Sequence, residues 1–151
     1  MPARRLVYRL AYTGLRVYWF LTRPQVSGVK CVLTDGERVL LVRHTYGPRG
    51  WDLPGGSIKR GETPATAASR EMNEELGISI EQWQALGQFK VEVDHRRDYV
   101  HCFQAELGAA EIVLDRGELA AASWFPRHGL PSDLGRYTRP ILTQAPAPEP
   151  N

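Results

Sequence analysis

Apolar and polar positions follow three different rhythms along the chain. Over residues 4–22 the spacing is helical. At about 100° per residue, Arg5, Arg9, Arg16 and Arg23 share a narrow arc, and Leu6, Leu10, Val17 and Leu21 share another. Val7, Ala11 and Tyr18 lie beside the apolar arc, Tyr8, Tyr12 and Trp19 lie beside the arginines, and Pro24 closes the segment. Val29 to Leu33 and Arg38 to Arg43 read as two strands joined at Asp35-Gly36. The run Val39-Leu40-Leu41-Val42 is continuous rather than alternating, which predicts a strand buried on both faces.

Further along, Tyr46 to Gly50 reads as a loop and Trp51 to Leu53 as a short strand before Pro54-Gly55-Gly56. Thr63 to Leu76 reads as a helix, with Thr63 as N-cap, Pro64 at its first position and Gly77 at its end. Leu86 to Val93 and Tyr99 to Leu107 alternate as strands around a turn at Asp94 to Arg97. Ala121 to Phe125 reads as one more strand, and Leu134 to Thr143 as a last helix interrupted by Pro140. The Ala/Pro tail from Ala145 to Asn151 has nothing bulky to pack and is expected to be disordered. This order predicts an α/β protein with a mixed sheet covered by helices. The expected units are a basic helix over 1–25, one domain over 26–143 and a tail over 144–151.

Composition changes this picture in one respect. The 151 residues, 42% of them hydrophobic, suit one globular domain with a real core. Two cysteines supply neither a disulfide framework nor a cysteine zinc site, and a reducing compartment is the simpler setting. Cys31 and Cys102 fall in strand patterns and read as small buried residues. The net charge of +2, however, is uneven: residues 1–34 carry six cations and no acid, leaving −4 for the remainder. A uniformly basic nucleic-acid binder would spread its charge differently, and no sequence-specific nucleic acid is expected as a partner.

The chemistry concentrates between Gly56 and Ile78. Glu71, Glu74 and Glu75 stand at i, i+3 and i+4, on one helix face, with Ala65, Ala68, Met72 and Leu76 on the adjoining arc. Three carboxylates so close repel one another unless a cation compensates. Hard oxygen donors without clustered Cys or His point to Mg2+ or Mn2+. The Gly55-Gly56 turn lets backbone approach that ion or a phosphate. Seven fixed residues at background frequencies of roughly 0.07, with two apolar positions, arise by chance on the order of 10⁻⁷ of the time in a chain this long.

The pattern Gly-x5-Glu-x7-Arg-Glu-(apolar)-x-Glu-Glu-x-Gly-(apolar), complete from Gly56 to Ile78, resembles the Nudix box of the MutT-like Nudix hydrolases. The looser resemblance runs from about Gly28 to Pro131. It implies the Nudix α/β/α sandwich, here preceded by an amphipathic helix. It also implies hydrolysis of a pyrophosphate linkage in a nucleoside diphosphate joined to another group, a nucleoside triphosphate included, with Mg2+ or Mn2+. By the same resemblance, Glu74 and Glu75 are metal ligands, Glu71 a ligand or general base, and Arg70 the residue that orients it. Gly56 offers a carbonyl to the metal and Glu62 supports the metal shell. Glu118, six residues before Trp124, matches a further acid and is the second candidate for the base. Bound cations neutralise the pyrophosphate and acidify water, and a carboxylate then removes the proton. The Pro that marks many ADP-ribose hydrolases would fall near Asp94 and is not there.

Arg43, Arg96 and Arg97, in strand ends or turns, are candidates for substrate phosphates, and Trp51 and Tyr46 for stacking on a base. His44, Arg49, Lys90 and His95 lie in the same segments. Three readings of residues 4–22 stand side by side. The helix packs its apolar face on the domain or on a second subunit, it lies in an anionic membrane interface, or it is a transit peptide. Arg9 and Arg16 make it unfit to span a bilayer. The expected partners are therefore a small nucleotide, a membrane surface through residues 4–22, and a second copy of the chain. The expected location is cytoplasmic, and peripheral at a membrane under the second of the three readings. A catalytically silent nucleotide sensor on the same fold is the alternative to a hydrolase, and the complete carboxylate set weighs against it.

Overall fold

The computed structural model describes residues 2–22, 25–93 and 96–146, excluding the side chains of 2, 3, 19–26 and 91–98. The elements run α1 (Pro2–Thr22), β1 (Gln25–Asp35), β2 (Arg38–His44), β3 (Gly55–Ser57), α2 (Pro64–Leu76), β4 (Gln84–Val93), β5 (Arg96–Glu106), β6 (Leu119–Pro126) and α3 (Thr138–Gln144). Six strands form one mixed sheet in the order β4-β5-β1-β2-β6, with β3 paired to β1. Among the described strand pairs, only β1 and β5 are parallel, in register from Gln25↔Arg97 to Thr34↔Glu106.

The continuous apolar run in β2 is buried on both sides, as its pattern predicts. Leu40 and Val42 join Val29, Cys31 and Leu33 in a core beneath Ala67, Ala68, Met72 and Leu76 of α2. Val39 and Leu41 join Val32, Leu53 and Cys102 in a second core that includes Ile141 and Leu142 of α3. The sheet is thus sandwiched between helices, and both cysteines are free and buried.

Several expectations need correction. The short strand lies at Gly55–Ser57; Trp51 and Asp52 make only isolated bridges, to Leu134 and Val42. The last helix starts at Thr138 rather than Leu134, so Pro140 falls in the first turn, where a missing N–H costs no intrahelical bond. The tail is packed at its beginning: Ala145 is buried, and the Pro146 carbonyl accepts from Gln104 Nε2 at 3.1 Å. Residues 147–151, and Asp94 and His95 of the expected turn, lie outside the described residues, as do Arg23 and Pro24.

The largest correction concerns α1. Its apolar side does not pack on the domain: Leu6, Val7, Leu10, Val17 and Tyr18 are exposed. The tyrosine shoulder faces the domain instead, and Arg5, Arg9 and Arg16, although exposed, line a cavity against it. Tyr8 stacks on Tyr46 at 5.9 Å and Tyr12 lies 5.3 Å from the same ring. Arg4 donates to Asp115 at 3.1 Å, and Arg5 Nε to the Arg116 carbonyl at 3.1 Å. Among the described residues no helix is long and apolar enough to cross a membrane.

Candidate active site

The site is built where β3 runs into α2. Thr63 caps the helix by accepting the Thr66 N–H at 3.2 Å, with Pro64 opening it. Gly77 ends it in the left-handed region, φ 66°. Two carbonyls of the last turn are taken by the loop before β6. Val113 N–H donates to Leu76 and Asp115 N–H to Glu75, each at 2.9 Å. That docking fixes the loop bearing Glu118 against the end of α2.

Two glycines are required by close approach. A Cβ on Gly55 would meet the Val29 carbonyl oxygen at 2.0 Å, and one on Gly56 would meet the Glu71 carboxyl carbon at 2.3 Å. Backbone and carboxylate therefore touch at Gly56, where a side chain would not fit.

Arg70 organises three of the acids. Its Nε and one terminal nitrogen grip Glu62 as a fork, at 2.6 and 3.0 Å. The other terminal nitrogen sits between Glu71, at 2.8 Å, and Glu74, at 3.1 Å. The nitrogen shared with Glu62 also donates to the Ser57 carbonyl at 2.9 Å. Glu62 accepts the Lys59 N–H as well, at 2.8 Å, and these bonds hold its carboxyl down to about 2. The sequence did not reveal that Glu62 serves Arg70 so fully; the pairing spans eight positions and needs the intervening turn.

The other acids are held in the opposite electrostatic state. Glu75 is 2% exposed and accepts a hydrogen bond from Gly55 N–H at 3.3 Å. Burial, then the charge of Glu71, pushes its carboxyl well above the usual range. Burial also raises Glu71, against the pull of Arg70. Glu118 is half-buried and raised by burial, then by Asp115, Glu71 and Glu74. Glu71, Glu75 and Glu118 are therefore brought into mutual electrostatic reach from two separate segments.

Among the described residues no three His, Cys, Asp or Glu side chains form a ready-made metal cage. The donor set nonetheless fits a hard divalent cation. Buried carboxylates with excess negative charge meet a backbone turn at Gly55-Gly56, and Arg70 and the Gly55 N–H answer only part of that charge.

The expected substrate contacts are distributed differently. Arg43 pairs with Asp133 and lies 4.6 Å over the Trp51 ring, which packs edge-on against Phe125 at 4.9 Å. Trp51 is thus engaged as a wall. Arg96 and Arg97 open β5, and their side chains lie outside the described residues. Below the wall, Asp52 accepts from Lys30 at 2.5 Å and from the Thr138 hydroxyl at 2.8 Å, tying the Trp51 segment to α3.

A cavity of about 650 Å³ opens between α1 and the end of β2. Arg5, Arg9 and Arg16 line one side, and Arg43 and Arg49 the other. Sequence reasoning left the helix arginines out of the site. The signal was the uncompensated charge of residues 1–34, but charge alone does not say which way a helix turns.

The NUDIX domain family model matches residues 24–144, and the chain belongs to the Nudix family. It is 33% identical over 89 residues to the ADP-ribose pyrophosphatase of Mycobacterium tuberculosis, covering 56% of this chain and 42% of that protein. It is 33% identical over 100 residues to a putative 8-oxo-dGTP diphosphatase of Bacillus subtilis, covering 66% and 65%. The chain thus spans less than two thirds of the length of either relative. The fold matches the crystal structure of a MutT Nudix hydrolase from Burkholderia pseudomallei with a TM-score of 0.76 and 26% identity, over 82% of this chain and 99% of that one.

Proposed function

We propose that the chain is a divalent-metal-dependent pyrophosphohydrolase cleaving a nucleoside diphosphate derivative by attack of water at phosphorus. The observation that carries this reading is the buried pair Glu71 and Glu75, each with a raised pKa, with Glu118 brought up by a separate loop. A structural role explains such a set poorly, because uncompensated buried charge is costly. The names of the two relatives, which are pyrophosphatases or diphosphatases, support the same class.

In this reading Glu71, Glu74, Glu75 and the Gly56 carbonyl hold Mg2+ or Mn2+. When bound, the cation supplies charge neutralisation on the pyrophosphate and makes water more acidic. Arg70 orients Glu71 through the bond at 2.8 Å, and Glu62 supports the metal shell at one remove by gripping Arg70. Glu71 takes the proton from the attacking water, burial having raised its carboxyl above the ordinary range. Glu118 is the alternative base. Comparing Glu71→Gln with Glu118→Gln separates them, because only loss of the base removes the acid limb of the kcat profile. Arg43 meets substrate phosphate and Trp51 braces Arg43, with Arg96 and Arg97 further phosphate contacts. The working unit is 26–143, with 1–25 and 144–151 flanking it.

The test is a hydrolysis panel of nucleoside triphosphates, oxidised nucleotides, nucleotide sugars and dinucleotides, each with Mg2+, Mn2+ or EDTA. Metal-dependent turnover of one class, lost in Glu75→Gln, is the expected result. Nucleotide binding without turnover anywhere would replace the hydrolase with a sensor.

A further inference from the structure

The cavity beside the box has a composition that cleavage of a pyrophosphate does not require. Among the described residues, five arginines line it and no acidic residue does. On α1, Arg5, Arg9 and Arg16 run along one face over about 16 Å, at about 1.5 Å per residue. Arg43 and Arg49 stand opposite, with Tyr12 and Tyr46 between. Arg5 is anchored on the Arg116 carbonyl, and Arg43 by Asp133 and Trp51. Cations clustered this closely repel one another, as the carboxylates next door do. Two buried polar atoms without a hydrogen-bond partner, Arg43 Nε and His44 Nδ1, also belong to lining residues.

The cavity borders the loop that bears Glu118. Thr45, on its wall, donates its N–H to the Glu118 carbonyl at 2.9 Å. The Tyr46 hydroxyl is pushed up to about 12 by burial, then by Glu118, Glu75 and Glu71. A ligand lying across Tyr46 therefore passes from an acidic, cation-binding half into a guanidinium-lined half.

We propose that this trough is a subsite for a remainder of the substrate that itself carries phosphates. A neutral sugar offers guanidinia such as those of Arg9 and Arg49 no charged partner. A di- or polyphosphate extension offers them paired anionic oxygens. No second metal is needed, because the arginines supply the positive charge. The trough depends on the hydrolase reading for the identity of its ligand, not for its affinity for phosphate. It also accounts for the inward turn of α1: an apolar face is left in water so that the arginines can line the site.

Two arms test it with the full chain. In EDTA, inorganic tripolyphosphate is titrated by calorimetry. Arg9→Ala/Arg49→Ala is expected to lower its affinity about tenfold or more, the scale of one lost charge-assisted contact. Arg136→Ala/Arg139→Ala, which removes two exposed arginines outside the cavity, is the control for net charge and leaves affinity within about twofold. Arg9→Lys/Arg49→Lys keeps charge but loses the fork, and falls between; it also serves should the alanine pair fail to fold.

With Mg2+, ADP-ribose is compared with diadenosine tetraphosphate, whose remainder carries further phosphates. The alanine pair is expected to raise KM about tenfold more for the tetraphosphate than for ADP-ribose. Equal changes in KM, or tripolyphosphate affinity indifferent to Arg9 and Arg49, overturn the subsite while leaving the hydrolase intact. Arginine-dependent tripolyphosphate binding without turnover of any substrate keeps the anion site and removes the hydrolase.

Discussion

Beneath α2, Met72 and Leu76 are fully buried, while on α1 Leu6, Leu10 and Val17 are 57%, 63% and 58% exposed. Both helices are amphipathic and both carry a charged face toward the proposed site. α2 meets the sheet with its apolar arc, so packing alone fixes which carboxylates reach Gly56. α1 is held by its polar side, through Arg4 to Asp115, Arg5 to a carbonyl, and two tyrosines on Tyr46. Hydrophobic burial thus orients one helix, and hydrogen bonds with ring stacking orient the other. A periodic pattern predicts that a helix forms in both cases. It predicts the facing side only where apolar burial outweighs the polar contacts.

The largest effect is expected at the most buried acid. Glu75→Gln keeps the shape and removes a charge whose burial is unfavourable without a cation. Turnover should fall about a thousandfold, about 4 kcal/mol at the transition state. Metal-free stability should stay level or rise, and the rise in melting temperature on adding Mg2+ should vanish. Thermal melts with and without Mg2+ read this directly. A Glu75→Gln protein still stabilised by Mg2+ as strongly as the native one would move the metal elsewhere.

Packing supplies the next largest effect. Met72→Ala should cost about 3 kcal/mol in a urea melt, since a fully buried side chain between α2 and the sheet is lost. A cost below about 1 kcal/mol would mean that α2 is not held by its apolar arc, and the contrast with α1 would lose one side.

The sequence made the α2 half of the site legible because several independent signals agreed there. Cap, first-turn proline, terminal glycine, apolar arc and acid spacing all specify one helix in one orientation. The cross-chain contacts were not legible. The Glu62–Arg70 fork depends on a turn, and the Glu118 loop depends on two backbone bonds to the end of α2. The strand at Gly55–Ser57 was hidden because glycines lack strand propensity; close approach to Val29, not propensity, makes it. The facing side of α1 was hidden because its contacts are polar and come from loops far away in the chain.

His44 gives a pH handle on the junction between the two halves. Burial, then the charge of Lys30, lowers its pKa from 6.5 to about 4. The unfolded chain therefore binds this proton at a higher pH than the folded one. Stability from this residue is present above about 6.5 and is lost as pH falls toward 4. Across that window the urea midpoint of the native protein should fall relative to that of His44→Gln, in which the carboxylates titrate alike and only the histidine is removed. Identical slopes would mean that His44 is solvated in the folded state and that the cavity wall is open there.

The smallest effect is expected on the outer face of α1, and it separates the two helices most sharply. Leu10→Gln changes a side chain 63% exposed and turned away from the domain, so stability should move by no more than about 0.5 kcal/mol. Turnover and tripolyphosphate affinity should not change, because the arginine side is untouched. A large loss of stability in dilute monomer would mean that the apolar arc packs on the domain after all and the arginines face water; the trough would then have no wall. A loss appearing only in a dimeric fraction, read by sedimentation, would identify the arc as a contact between copies of the chain. A loss of vesicle binding would identify it as a lipid contact. In either of the last two cases the arginines keep their place over the site, because an outer surface that binds its partner through leucines leaves the inner one to the substrate.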